Sequence, residues 1–485
     1  MRLDEPAAVA ETHSATIFFS GDRAYKQKKA VDLGFLDFRS RRSREAVCHR
    51  EVELNRRLAP DVYLGVADVL GPDGAPCDHL VVMRRMPSDR RLAALIRAGR
   101  DVDDELRDVA KQLAGLHERS PRTDAADRAA GIEATRHRWC SNTDQMVTAR
   151  GGLFDDAVLG QVHGLACRYL DGRGPLFGHR VAAGRAVDGH GDLLADDIFC
   201  LDDGPRILDC IEFDDDLRLG DGLADAAFLA MDLERLGRPD LGRGFLSAYA
   251  EQRGDVWPSS LEHLHIAYRA QVRAKVAAVR AEQGDGAART TAVELLHLAA
   301  SHLHRGRVRL IMVGGLPGTG KSTLAASLAE RLSCTLLRSD EVRKELTGTP
   351  QNRHETVAYG AGSYTAEVSD ATYERLLDRA HVALGMGETV ILDASWSDPG
   401  WRERARAMAS AAYADLTQLR CDAPAGIADA RIARRAAAGT DVSDATPEIA
   451  AIMRTTLVAW PDATTIDTST TPEATLAEAI RQAGV

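Results

Sequence analysis

The sequence has few aromatic residues, and its cysteines form no recognisable pattern. Phe, Trp and Tyr together make up 5% of the 485 residues. The eight cysteines are scattered, and no two have the C-x-x-C spacing that is typical of zinc sites and redox motifs. Neither a disulfide framework nor a structural zinc site is therefore predicted, and we expect reduced thiols in a cytoplasmic protein.

Long apolar runs are also missing. No stretch approaches the roughly 18 apolar residues of a transmembrane helix. The N-terminal segment is polar and acidic, unlike a secretory signal. The formal net charge of −11 disfavours binding to nucleic acid, which depends on neutralising phosphates. We therefore expect neither a membrane nor a nucleic acid as partner, while the oligomeric state does not follow from the sequence.

The length of 485 residues is sufficient for two or three domains. Residues 1–86 show strand patterns around one helix, and residues 87–285 are mainly helical, with short strands near 186–215. After 306, apolar strands alternate with helices, as in an α/β domain with a parallel sheet. We place a first domain at 1–285, a linker and connecting helix at 286–305, and a second domain at 306–485.

The strongest motif is the segment GLPGTGKS, which fits the phosphate-binding P-loop pattern without a mismatch. It follows an apolar strand and precedes a helix, so glycine-rich backbone and helix N-terminus both point at phosphates. Lys321 is predicted to reach the β- and γ-phosphates of ATP, and Ser322 to bind Mg²⁺. The predicted nucleotide-binding residues of this segment are Gly315, Leu316, Pro317, Gly318, Thr319, Gly320, Lys321, Ser322 and Thr323.

Two acidic residues follow apolar strands in the same domain. Asp340 comes after one strand, with Arg343 one helical turn later, and Asp393 ends another. Ligands of open α/β sheets bind at strand C-termini. We therefore predict that Asp340 takes a hydroxyl proton or holds the acceptor, that Arg343 pairs with an anionic group, and that Asp393 orients water on Mg²⁺. Asp340 is equally a good helix cap, and both roles are compatible.

An arginine-rich helix follows, with Arg431 and Arg435 as candidates to close over the phosphates as a lid. A solvated helix face would show the same pattern. The segments GLPGTGKST, SDEVRKEL and VILDASW, together with this helix, resemble the small P-loop kinases related to gluconate, adenylylsulfate, shikimate and polynucleotide 5′-hydroxyl kinases. The resemblance covers about 306–485 and implies phosphoryl transfer from ATP to a hydroxyl group, without naming the acceptor.

A second acidic constellation lies at GHGDLLADDIFCLDDGPRILD. Asp192 lies in a tight loop, and Asp209 follows a short hairpin. Asp192 is placed to take a hydroxyl proton, and Asp209 to bind Mg²⁺, a hard cation that prefers carboxylates. A surface hairpin with solvated acidic residues and no catalytic role would show the same sequence pattern.

HGDL followed by a hairpin and an aspartate resembles the aminoglycoside phosphotransferases, whose fold is bilobal and protein-kinase-like (α+β). The resemblance implies a strand lysine that pairs with a helix glutamate and the ATP phosphates. Lys26 and Lys28 share one strand face and both remain candidates. Glu51 is the preferred partner, with Glu53 as the alternative.

The match departs from the family pattern at two positions. Leu194 replaces the usual histidine, and Asp197 occupies the position of the metal-binding asparagine, which adds charge and removes a donor. The leading hypothesis is an ATP- and Mg²⁺-dependent phosphotransferase with two nucleotide sites and small hydroxyl-bearing acceptors. The alternatives are a P-loop kinase regulated by a pseudokinase-like nucleotide- or metabolite-sensing module, and a P-loop ATPase switch.

Overall fold

The computed structural model describes residues 8–11, 14–32, 37–148, 152–350, 365–438, 447–455 and 458–484, with backbone alone at 435–438 and 447–449. The chain divides into two compact units. Unit 1 comprises Met1–Gln161, Phe177–Trp257 and Leu264–His302, and unit 2 comprises Val162–Leu176, Pro258–His263 and Leu303–Val485. The domain boundaries predicted from the sequence stay a prediction.

A five-stranded antiparallel sheet opens unit 1, in the order β1-β2-β3-β5-β4. Its strands are β1 (Ala8–Glu11), β2 (Ala15–Ser20), β3 (Arg23–Lys28), β4 (Tyr63–Leu70) and β5 (Pro76–Arg84). Helix α1 (Arg41–Asn55) begins after Ser40, whose side chain caps it. Burial alternates along β3, so Lys26 and Lys28 lie on the same buried face.

Helices make up most of the chain between residues 92 and 305. They are α2 (Leu92–Arg97), α3 (Asp103–Glu118), α4 (Asp124–Ala130), α5 (Ile132–Thr148), α6 (Asp156–Asp171), α7 (Gly174–Ala182), α8 (Gly222–Arg235), α9 (Pro239–Arg253), α10 (Ser259–Glu282) and α11 (Gly286–Arg305). Two antiparallel strand pairs interrupt them. The pairs are β6 (Ala186–Asp188) with β9 (Leu219–Asp221), and β7 (Ile198–Leu201) with β8 (Gly204–Ile207).

The helical part of unit 1 is closed around apolar side chains and one buried ion-pair network. Leu113, Leu229 and Phe245 are almost fully buried. Beside them, the guanidinium of Arg180 binds the carboxylates of Asp221 and Asp255, both at 2.7–2.8 Å. Unit 1 thus has a small antiparallel sheet with one helix, followed by a helix-rich part that carries two strand pairs. This is the organisation expected of a kinase-like fold, and it confirms the predicted α+β class.

Unit 2 contains a five-stranded sheet that is parallel throughout, in the order β11-β12-β10-β13-β14. The strands are β10 (Arg309–Gly314), β11 (Thr335–Arg338), β12 (Val390–Asp393), β13 (Asp415–Asp422) and β14 (Thr464–Asp467). The helices are α12 (Lys321–Leu332), α13 (Ser339–Thr347), α14 (Ala366–Gly385), α15 (Pro399–Ala411), α16 (Ala425–Ala438), α17 (Pro447–Thr455) and α18 (Pro472–Ala483).

The central strand β10 is buried along its whole length, as expected for a parallel sheet covered on both faces. The parallel sheet with helices in its crossovers confirms the predicted α/β architecture. Among the residues that the structure describes, no helix combines the length and the apolar character needed to cross a bilayer.

Candidate active sites

The P-loop of unit 2 runs from the end of β10 to the first turn of α12. Gly315, Gly318 and Gly320 have φ angles of 139°, 80° and 84°, which disfavour any residue with a side chain. A Cβ added to Gly318 would lie 2.4 Å from the carbonyl oxygen of Ala428. Helix α12 begins at Lys321, directly after Gly320. The glycines therefore allow the tight path that turns backbone N–H groups towards a phosphate.

Arg431 on helix α16 lies against this loop. Its Nη2 donates to the carbonyl oxygen of Thr468 at 2.7 Å, and the Thr468 hydroxyl donates to the carbonyl oxygen of Thr319 at 2.6 Å. The Arg431 Nη1 would lie 3.4 Å from a Cβ built on Gly320. A guanidinium is thus held beside the phosphate-binding backbone. The side chain of Arg435, the other predicted lid residue, lies outside the described residues.

The predicted acids of unit 2 lie at or directly after the ends of two neighbouring strands, β12 and β11. Residues 338 and 393 are partners in the parallel register, and the Arg338 Nε lies 3.3 Å from the Asp393 Oδ2. Asp340, in the first turn of α13, forms an ion pair with Arg343 Nη1 at 2.6 Å. The predicted cap role of Asp340 is wrong, because Arg338 occupies the N-cap position of α13 and no side chain caps the helix there. Its role towards an acceptor stays a prediction.

Asp393 has the properties of a magnesium ligand. Its side chain is 4% exposed, and its Oδ1 has no hydrogen-bond partner among the described residues. A buried carboxylate oxygen without a partner is costly, and a divalent cation would compensate it. The residues therefore fit Mg²⁺, which Asp393 and Ser322 would hold.

In unit 1, Lys26 bridges two carboxylates that are far apart in sequence. Its Nζ lies 2.8 Å from Glu51 Oε1 on helix α1 and 2.6 Å from Asp209 Oδ1 after β8. Lys28 lies 2.6 Å from Glu51 Oε2 and 2.5 Å from Glu212 Oε1. Of the two lysines that the sequence left open, Lys26 is the one that joins the helix glutamate to the predicted metal aspartate. Glu212 was not foreseen.

The electrostatics of this cluster follow from its burial and ion pairs. The Lys26 ammonium lowers the pKa of Asp209 to about 2. Burial alone would lower the pKa of Lys26, but the carboxylates of Asp209 and Glu51 raise it well above its usual value. Glu51 keeps a lowered pKa because its two lysine partners outweigh its own burial. All three groups are therefore charged at neutral pH.

The loop that carries Asp192 is fixed by two aspartates of helix α8. Asp225 accepts hydrogen bonds at 2.8 Å from the backbone N–H groups of residues 190 and 191, and Asp232 accepts one at 2.9 Å from that of Ala195. Asp225 also pairs with His117 at 2.9 Å. The two aspartates lie seven residues apart, which places them on one helix face. That spacing was the available sequence signal, and our prediction did not include these residues.

Asp192 itself faces an arginine that the sequence did not suggest. Arg273 Nη1, from helix α10, lies 3.3 Å from Asp192 Oδ2. Burial raises the pKa of Asp192, and it raises the pKa of Asp197 well above the usual value, with Asp209 and Asp192 adding to the effect. Asp197 and Asp209 both offer carboxylate oxygens, the donors that Mg²⁺ prefers, so this donor set also fits Mg²⁺, which the two would hold.

The chain is similar along nearly its whole length to proteins of two mycobacteria. A relative from Mycobacterium tuberculosis, "Uncharacterized protein Rv2004c", is 42% identical over 477 residues, covering 98% of this chain and 95% of its own length. A relative from Mycobacterium bovis matches with the same identity and coverage. The family model described as "AAA domain" matches residues 310–458, which include the P-loop.

Solved structures resemble the chain in two separate parts. A sugar kinase from Janibacter sp. is 20% identical and covers 36% of this chain and 94% of its own, with a TM-score of 0.29. A choline/ethanolamine kinase family protein from Mesorhizobium loti is 13% identical and covers 62% of this chain and 89% of its own, with a TM-score of 0.38. An aminoglycoside 2′-phosphotransferase-IIIa is 15% identical and covers 61% of this chain and 93% of its own, also with a TM-score of 0.38.

Proposed function

The chain belongs to the family of these mycobacterial proteins, and from that premise we propose that it is an ATP-dependent phosphotransferase with one nucleotide site in each unit. The acceptors are small molecules that carry a hydroxyl group. The observation that carries the proposal for a second site is the Lys26 bridge between Glu51 and Asp209, at 2.8 and 2.6 Å. In protein kinases, a strand lysine that pairs with a helix glutamate and an aspartate that binds Mg²⁺ are both needed to hold the ATP phosphates.

In unit 2, the P-loop backbone and Lys321 bind the phosphates of ATP. Ser322 and Asp393 hold Mg²⁺, and the orphaned Asp393 Oδ1 supports this role. Arg431 closes over the phosphates from α16. Asp340 takes the acceptor proton, and Arg343, at 2.6 Å from it, keeps that carboxylate oriented. Arg338 balances part of the negative charge on Asp393.

In unit 1, Lys26 binds ATP phosphates, and Asp209 and Asp197 would hold Mg²⁺. The acceptor oxygen forms a bond to the γ-phosphorus, and the bond from that phosphorus to the bridging oxygen of ADP breaks. The acceptor proton passes to the Asp192 carboxylate, and ADP leaves. Lys28 does not contact ATP. It supports the site through its ion pairs with Glu51 at 2.6 Å and with Glu212 at 2.5 Å.

A second candidate for unit 1 is a nucleotide-sensing module without transfer activity. Asp197 favours it, because an aspartate stands at the position of the metal-binding asparagine, which adds charge and removes a donor. The charged Lys26 cluster favours the catalytic function instead. The two functions differ in one respect: only a transferase requires Asp192 for turnover.

The assignment of unit 2 is tested with Asp340→Asn in a chain that also carries Lys26→Met, where unit 1 is silent. Removing a general base is expected to lower acceptor phosphorylation about 10²- to 10⁴-fold, while Lys321→Ala removes it. The matched control is Asp378→Asn, an exposed aspartate on α14. The readout is transfer of ³²P from ATP to a metabolite panel, in the full chain. Equal transfer by Asp340→Asn and the control would refute the acceptor role.

The assignment of unit 1 is tested in a Lys321→Ala background, where unit 2 is silent. Asp192→Asn is expected to lower the remaining ATP turnover by about 10²-fold or more. The matched control is Asp196→Asn, four residues away and partly exposed. If Asp192→Asn leaves turnover unchanged, the sensing module replaces the transferase.

A further inference from the structure

The unit 1 site concentrates negative charge at three aspartates. The hairpin of β7 and β8 places Asp197 beside the segment that carries Asp209, because the backbone N–H of Leu208 donates to the Asp197 carbonyl oxygen at 3.0 Å. Asp192 lies in the loop just before β7. Lys26 neutralises Asp209 at 2.6 Å. Asp192 has no such partner in its own loop, whose next motif positions are Leu194 and Asp197 instead of histidine and asparagine. The proposed base therefore depends on a cation from elsewhere in unit 1.

Helix α10 supplies that cation. Arg273 Nη1 lies 3.3 Å from Asp192 Oδ2 and 3.5 Å from Oδ1, so one nitrogen faces both carboxylate oxygens. The Arg273 side chain is 25% exposed, and that of Asp192 30%. This degree of burial reduces solvent screening and makes the pair stronger than a surface ion pair.

The neighbouring arginine on the same helix face does not replace Arg273. Arg269 lies four residues earlier, and its Nε donates to the carbonyl oxygen of Ala224 at 2.8 Å. Its guanidinium also stacks over the Phe228 ring, 4.5 Å from the centroid. Arg269 therefore anchors α10 to α8, the helix that fixes the Asp192 loop through Asp225, and holds Arg273 in register with Asp192.

We propose that Arg273 is a positioning residue of the unit 1 phosphotransferase, which keeps the Asp192 carboxylate oriented towards the acceptor hydroxyl. The inference rests on the function proposed for unit 1. Arg273 acts through Asp192, because a misplaced general base loses reactivity steeply with distance. The ion pairs of Lys26 are made with Glu51 and Asp209 and do not involve Arg273. The affinity for ATP is therefore expected to be preserved when Arg273 is replaced.

The test is hydrolysis of [γ-³²P]ATP, with water as acceptor, by the full chain carrying Lys321→Ala. Arg273→Gln is expected to lower kcat about 10- to 100-fold while KM for ATP stays within about twofold. Arg273→Lys retains the positive charge and should recover part of the loss. The matched control is Arg280→Gln on the same helix, whose side chain is 53% exposed and pairs with Asp285; it should change neither constant.

The outcomes distinguish a failure of the positioning role of Arg273 from a failure of the function proposed for unit 1. If Asp192→Asn lowers kcat and Arg273→Gln does not, Arg273 has no positioning role while the proposed function stands. A loss in Arg273→Gln that Arg273→Lys does not relieve, or a loss that appears in KM alone, also overturns the positioning role. If the Lys321→Ala chain hydrolyses ATP no faster than the same chain with Asp192→Asn, the function proposed for unit 1 fails. The positioning role of Arg273 then fails with it. Thermal unfolding of each variant separates these losses from misfolding.

Discussion

Lys26 and Lys28 differ in their partners, although they lie two residues apart on one strand face. Lys26 reaches Asp209, and Lys28 reaches Glu212, at 2.6 and 2.5 Å. In the Lys321→Ala background, we expect Lys26→Met to lower ATP turnover at least about 100-fold, because a phosphate ligand is lost. Lys28→Met should mainly lower stability, because it leaves Glu212 buried without its cation.

Initial rates and unfolding midpoints of the two variants check this division. Equal losses of turnover at equal stability would contradict it. The sequence limited the choice to these two lysines because a strand repeats every two residues. It could not choose between them, since the choice depends on Asp209 and Glu212, more than 180 positions away.

At the scale of elements, the P-loop shows how much local sequence determines. Its glycines, Lys321 and Ser322 are adjacent in the chain, so the motif and its strand-to-helix context were predictable. The unit 1 loop depends instead on distant elements. Asp225, Asp232 and Arg273 come from α8 and α10, and a pattern of acids and arginines on helices is common without any function. Long-range pairing of this kind is not encoded in local spacing.

Gly318→Ala tests the P-loop geometry. The added Cβ would lie 2.4 Å from the carbonyl oxygen of Ala428, at a φ of 80°. A strained position of this kind costs about 1–3 kcal/mol, so we expect nucleotide binding by unit 2 to weaken roughly 10- to 100-fold. Gly426→Ala, on α16 with open space around its Cβ position, is the control. Equal affinities measured by calorimetry would show that the loop is not confined as described.

At the scale of the whole molecule, unit 2 is assembled from three stretches of the chain. Within it, Arg173 donates to the carbonyl oxygen of Ala412 at 2.8 Å, and Ser260 to that of Gly387 at 2.6 Å. A fragment that begins at residue 306 lacks both donors. The sequence did not indicate this, because neither stretch carries a motif. The experiments proposed above therefore use the full chain.

The stability of unit 1 should depend on pH through His265. Burial lowers its pKa to about 4, against an ordinary value of 6.5. Between these values the unfolded chain binds more protons than the folded chain, so stability falls as the pH falls. The full effect below pH 4 is about 3 kcal/mol. Thermal unfolding between pH 7 and pH 4 should show a smaller decline for His265→Gln than for the exposed His297→Gln control; parallel declines would contradict this.

The central claim is that one chain carries two ATP sites. Equilibrium dialysis of the full chain against a non-hydrolysable ATP analogue with Mg²⁺ counts them directly. We predict two nucleotides bound per wild-type chain, one for Lys321→Ala, and one for Lys26→Met. A count of one for the wild type that Lys321→Ala abolishes and Lys26→Met leaves unchanged would contradict the account.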